Sequence, residues 1–309
     1  MLALVSRAWA WMYRSRGLTK TDAASVRSSQ RFLVRAFYLV ALAHAIVELG
    51  PTEGSNWATP GWLDQRALTW PLAWAQAIPS ELLTTTLTLG QVAGAAIGAL
   101  YGLQYAAARW VTFLAVFMYA ALEGSSGVVS HDAVLYVVAA GLLACARPTS
   151  RERHGTDDTT GALLGIQVYI GLSYCTSGLV KVLALVQQAF TDPVHALQLG
   201  ALRAQASTAS LAQHRELFAT AWLEDLPGAL QSGLLLGGYA IELAALPVLL
   251  LRPRWVRPYA VALLLLHAGA LAFIGPDYTW HALLVGLFWG LSPWPASPAQ
   301  LGKPHAAQT

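Results

Sequence analysis

The chain has 309 residues, of which 56% are hydrophobic and 11% charged, with a formal net charge of +3 and a mean hydropathy of +0.49. Soluble domains carry about 25% charged residues, so this balance indicates a polytopic, all-α membrane protein. It excludes a nucleic-acid-binding face, because the basic residues spread over loops instead of clustering. It also excludes a membrane β-barrel, which needs short alternating segments.

Residues 1–31 carry Arg7, Arg14, Arg16, Lys20, Arg27 and Arg31 among apolar stretches. Arg7 interrupts the first apolar run, so the segment reads as an interfacial helix and not as a signal peptide. Eight membrane segments are predicted after it, over 32–49, 81–103, 107–124, 131–147, 161–186, 228–251, 256–275 and 278–293. The tight join Gly275-Pro276-Asp277 leaves seven spans open, should one of these be a re-entrant hairpin. In the second span Gly90, Gly94 and Gly98 recur every four residues, which predicts a close-packing helix face. Residues 294–309 form a short tail, and no internal repeat divides the chain, so 1–309 reads as a single transmembrane domain.

Two further segments are too polar to span and too apolar for ordinary loops. Residues 57–79 hold Trp57, Trp62, Trp70 and Trp74. Residues 190–227 hold His195, Arg203, His214, Arg215 and Trp222. Both suit headgroup level, as roofs over a cavity or as plain interfacial anchors. Arginines fall in alternate loops, at Arg109, at Arg147, Arg151 and Arg153, and at Arg252, Arg254 and Arg257. The positive-inside bias then places both termini in the cytoplasm.

Charges inside spans carry the functional signal. Lys181 lies in the fifth span and Glu242 in the sixth. A charge at mid-bilayer costs about 2.5–3.5 kcal/mol on insertion scales and usually faces protein or water. The plainer reading of Lys181 is a lysine that snorkels to the interface, and that of Glu242 is a structural partner for a nearby donor. His44, His131, His267 and His281 fall in or beside spans without a clustered ligand spacing, which predicts no metal centre, although a haem held by a pair such as His44 and His267 stays open. Cys145 and Cys175 do not form a C-x-x-C pair and read as packing residues. With the N-terminus inside, Lys181, His131 and His267 share one depth layer near the outer surface, as a proton-transfer site there would need.

Several motifs occur in one order along the chain. They are Gly61-Trp62-Leu63-Asp64 through Trp70-Pro71-Leu72 to Ile78-Pro79, then Ser130-His131-Asp132, then Y-x-x-x-G-x-x-K over 174–181, then His267 ahead of Phe273-Ile274-Gly275. In this order the chain resembles the membrane domain of vitamin K-dependent γ-carboxylases, called HTTM proteins in bacteria. Ser130 stands where that family has Asn, and Val180 where it has the first of two lysines. The family's large lumenal domain has no counterpart in this sequence.

The resemblance implies a multi-pass protein of the bacterial inner membrane. It implies quinol-dependent modification, carboxylation or a related step, of an exported peptide or lipid. The cofactors would be vitamin K hydroquinone or menaquinol with O2 and CO2, and the partners a membrane lipid or quinone and a peptide, with no nucleic acid. Lys181 would be the general base, with His131 and His267 orienting the quinol or stabilising an oxyanion. Tyr174, Trp70 and Glu242 would contact the cofactor. The alternative is a non-catalytic membrane factor that helps a partner peptide mature or leave the cell.

Overall fold

The computed structural model describes residues 20–49, 78–124, 131–146, 158–191, 202–203, 206–207, 220–251, 255–273 and 278–291. Every regular element among them is helical. The helices are α1 (Lys20–Leu49), α2 (Ser80–Tyr101), α3 (Ala106–Gly124), α4 (His131–Cys145), α5 (Asp158–Thr191), α6 (Thr220–Asp225), α7 (Gly228–Leu251), α8 (Val256–Phe273) and α9 (Thr279–Val285). A π-turn, Gly286–Gly290, continues α9.

Among the described residues five helices are long and apolar enough to cross a membrane, at Ser28–Val47, Leu82–Tyr101, Gly161–Gln188, Gly228–Leu251 and Val256–Phe273. The chain is therefore a multi-pass helical membrane protein. The stretches Ala106–Leu122 and Ala133–Cys145 are apolar but shorter. The expected last span is a seven-residue helix followed by the π-turn. Two helices overrun their expected limits: α1 starts at Lys20, and α5 extends to Thr191. The added residues are polar or lie beyond the apolar window, and hydropathy alone does not register helix outside the bilayer.

The described chain divides into two compact units, one containing 1–166 with 291–309 and the other 167–290, with the boundary inside α5. In the first unit α1 packs on α2, α2 on α3 and α3 on α4. The glycine stripe of α2 makes this possible. A Cβ on Gly94 would meet Ala108 O at 2.8 Å and Thr112 Oγ1 at 2.5 Å, and one on Gly98 would meet the Tyr38 ring at 2.5 Å. Only hydrogen fits at either position, as the four-residue repeat predicts. Gly102 ends α2 with φ 64°, and its amide bonds Gly98 O at 2.7 Å. This left-handed cap turns the chain into α3 within four residues.

That turn changes the role of Arg109. The sequence places it in a cytoplasmic loop, whereas the structure puts it in the first turn of α3, buried, donating to Ala146 O just beyond α4. A cation there satisfies a carbonyl that the ending helix leaves open and opposes the helix dipole. A second polar node of this unit is Gln91, buried on α2, which donates to Ala41 O and to the Tyr136 hydroxyl, both at 3.1 Å. His44 Nδ1 lies 3.5 Å from the same amide nitrogen.

In the second unit α8 packs on α7, on α9 and on the π-turn. The turn is held by reciprocal bonds: Gln167 Nε2 donates to Phe288 O at 2.8 Å, and Trp289 Nε1 donates to Gln167 O at 3.1 Å. A π-turn shifts the backbone hydrogen-bond register, and the Gln167 amide supplies a partner to a carbonyl within it. At the end of the unit where α5 stops and α7 starts, Leu202, Ala206 and Leu223 form a small core with Leu226, Leu235 and Phe273. Gln231 ties it together, accepting from the Arg203 amide at 3.1 Å and donating to Leu223 O and Leu226 O. The described parts of 190–227 thus pack on the ends of α7 and α8. All four tryptophans of 57–79, Trp70 included, lie outside the described residues.

Candidate functional site

The site grows from one face of α5. Gly171, Tyr174, Gly178 and Lys181 recur at intervals of three and four, so they line one side of the helix. A Cβ on Gly178 would meet the Leu243 amide nitrogen at 2.8 Å and Glu242 Cβ at 2.9 Å, and one on Gly171 would meet Leu246 Cα at 3.3 Å. The two glycines bring α5 and α7 to backbone contact, antiparallel, at the height of Glu242. One turn on from Gly178, Lys181 Nζ reaches Glu242 Oε1 at 2.5 Å. The same ammonium lies 5.8 Å from the centre of the Tyr239 ring, which stands one turn from Glu242 on α7.

The Lys181 amine has a protein partner in Glu242. Lys181 stands seven residues short of Gln188, the end of its apolar window, or about 10 Å along the axis. Its amine is turned into the protein and engaged by a carboxylate. The glutamate side chain is 9% exposed and the lysine side chain 42% exposed, so the pair is sealed on one side and open on the other. Glu242 Oε2 is buried and has no hydrogen-bond partner among the described residues. Ion pair or neutral pair, the two side chains carry no net charge together.

Two turns back on the same face, about 10 Å along the helix, Tyr174 hydrogen-bonds His267 Nε2 on α8. Their ring centres are 5.7 Å apart. His281 of α9 adds a third ring, 5.3 Å from Tyr174 and 5.2 Å from His267, and Tyr278 a fourth, 5.4 Å from His267. Tyr174 and His281 are buried. The result is a compact group of two imidazoles and two phenols, each able to donate and accept hydrogen bonds. Among the described residues no group of three or more His, Cys, Asp or Glu is placed to hold a metal.

Of the residues expected at one site, Lys181, Glu242, Tyr174 and His267 all lie in the second unit and form two stations along α5. His131 opens α4 in the first unit, and its side chain lies outside the described ones. Lys181 and Tyr174, the partner of His267, stand two turns apart on α5, and Glu242 is the lysine's direct contact. Sequence reading gave Tyr239, Tyr278 and His281 no role. Tyr239 carried a usable signal, since it lies three residues before Glu242 and so on the same helix face. Val180, next to Lys181 on α5, is 60% exposed.

Comparison with protein-family models, with curated proteins and with solved structures gives no match.

Proposed function

We propose that the chain is an integral membrane enzyme that takes a proton from a quinol at the Lys181–Glu242 pair and couples quinol oxidation to modification of an exported peptide or lipid. In the resembled γ-carboxylases the base is a lysine, and O2 and CO2 enter the chemistry. The observation that carries the reading is a lysine amine held 2.5 Å from a carboxylate within an apolar span, with one carboxylate oxygen unpartnered. Proton acceptance adds one positive charge to the pair, and the negative charge left on the quinol oxygen balances it. Low local polarity strengthens that balance. Tyr174, His267, His281 and Tyr278 supply donors and ring faces for the rest of a quinol head. The reading places the N- and C-termini in the cytoplasm of a bacterial cell, eight segments in the inner membrane, and the Lys181 end of α5 outward.

The test is oxygen-dependent consumption of vitamin K hydroquinone or menaquinol by the purified protein in nanodiscs. Wild type should turn over and Lys181→Met should not, with both proteins folded. Equal rates in the two would remove this reading. A wild type without turnover that co-purifies with a peptide would replace it with the maturation-factor alternative.

A further inference from the structure

Which atom of the pair receives the proton follows from what each atom is already doing. Lys181 Nζ is bonded to Glu242 Oε1 at 2.5 Å and lies over the Tyr239 ring. An ammonium has three donors and no acceptor, so a ligand hydroxyl cannot donate to it while the lysine is charged. The other oxygen of the same carboxylate differs. Glu242 Oε2 is buried, has lone pairs, and among the described residues has no partner. A buried acceptor without a donor is rare in folded proteins and calls for an explanation. The glutamate is held in place by its first oxygen and by the α5–α7 contact at Gly178, where Glu242 Cβ lies 2.9 Å from the position a Cβ would take. Of the two side chains the lysine is the more exposed, at 42% against 9% for the glutamate.

The geometry points to Glu242 Oε2 as the proton acceptor for a weakly acidic, phenol-type hydroxyl of a membrane-dissolved ligand, with Lys181 as the cation that faces the oxyanion produced. This rests on the proposed quinol reading and reassigns its base. In the step, the ligand O–H bond breaks, the proton passes to Oε2, and the electron pair stays on the ligand oxygen. No oxidant is needed for that step. Lys181 keeps its protons throughout and neutralises the new anion as Glu242 loses its own charge.

The two assignments differ in what Lys181→Arg does. A guanidinium cannot be deprotonated in proteins, so a lysine base predicts an inactive variant. A Glu242 acceptor predicts that Lys181→Arg keeps turnover within about tenfold of wild type. It predicts that Glu242→Gln, which keeps shape but has no basic oxygen, loses roughly 100-fold or more, the usual range for removing a general base. The readout independent of turnover is infrared difference spectroscopy on adding menaquinol to protein in nanodiscs. A protonated-carboxyl C=O band should appear in wild type and in Lys181→Arg, and be absent in Glu242→Gln. Glu242→Asp, which restores a carboxylate, should recover the band if Glu242→Gln is poorly folded. An inactive Lys181→Arg beside a Glu242→Gln within about threefold of wild type would overturn the assignment and leave the quinol reading standing. A wild type that shows neither quinol binding nor turnover would overturn both.

Discussion

Removing Lys181 and removing Glu242 should destabilise the protein by different amounts. The glutamate side chain is 9% exposed and the lysine side chain 42% exposed. In Lys181→Met the carboxylate stays where it is, buried, with its cation gone. Breaking a buried pair from one side costs about 3–5 kcal/mol. A ceiling comes from the option of protonating the stranded group, which for an ordinary glutamate at pH 7 costs about 3.7 kcal/mol. The expected loss is therefore about 3 kcal/mol. In Glu242→Gln the lysine loses its anion but has an open side, and a flexible charged side chain relaxes toward water. That variant should lose about 1 kcal/mol or less, as exposed pairs do. The double variant Lys181→Met/Glu242→Gln leaves no charge to desolvate and should lie within about 1 kcal/mol of wild type. The cycle then closes with a coupling of about 3 kcal/mol, well beyond the roughly 0.5 kcal/mol within which independent sites add. Reversible unfolding in mixed micelles, followed by tryptophan fluorescence, measures all four corners. Additive single losses would show that the two side chains do not form a pair in the folded protein, and the site would fall with it.

Gly178→Ala should separate α5 from α7, because its Cβ would sit 2.8 Å from a backbone nitrogen that cannot swing away; the expected loss is about 1–3 kcal/mol with a parallel loss of turnover. Gly237→Ala, where nothing lies within 4 Å, should be neutral or slightly stabilising in the same assay. Gln167→Leu removes the donor to Phe288 O and should cost about 1–3 kcal/mol, with faster amide exchange confined to the π-turn; unchanged exchange would show that the turn holds without it. His267→Ala and His281→Ala should each slow quinol turnover less than Glu242→Gln, since they only position or polarise. For topology, a cysteine at position 203 in a background free of Cys145 and Cys175 should react with an impermeant reagent in intact cells, and labelling only after permeabilisation would reverse the proposed orientation.

Composition was enough for the class, and the apolar windows were enough for most helices, because burial in lipid demands a long apolar run and little else. The glycine repeat of α2 was legible for a related reason: close approach of helices without a hydrophobic drive needs small residues, and their spacing is written in the chain. Arg109 was misplaced because a basic residue next to a loop and one buried a turn inside a helix look alike in one dimension. What separates them is Ala146 O, which lies 37 residues away and comes near only when α3 and α4 pack. Lys181 and Glu242 were each visible as costly charges, but their pairing was not. It depends on α5 and α7 meeting at Gly178, a contact between residues more than sixty apart. His281 was hidden likewise, as its neighbours Tyr174 and His267 come from two other helices. Periodicity fixes which residues share a face of one helix and is silent on which faces meet.

The pair is not explained by stability. A methionine and a glutamine in place of Lys181 and Glu242 would fill similar space without desolvating a charge, and such replacements are often neutral or stabilising. The surrounding helices do not need an ion pair to associate either, since the α5–α7 contact is made by Gly171 and Gly178 against backbone and Cβ atoms. Glu242 sits near the middle of α7, and Lys181 about 10 Å inside the end of the α5 window, which at 28 residues is longer than the bilayer core is thick. Of the two carboxylate oxygens, one is bonded to the lysine, and the other is buried with no partner among the described residues. Under the proposed function that asymmetry has a use, because a quinol hydroxyl brings the proton that the second oxygen accepts.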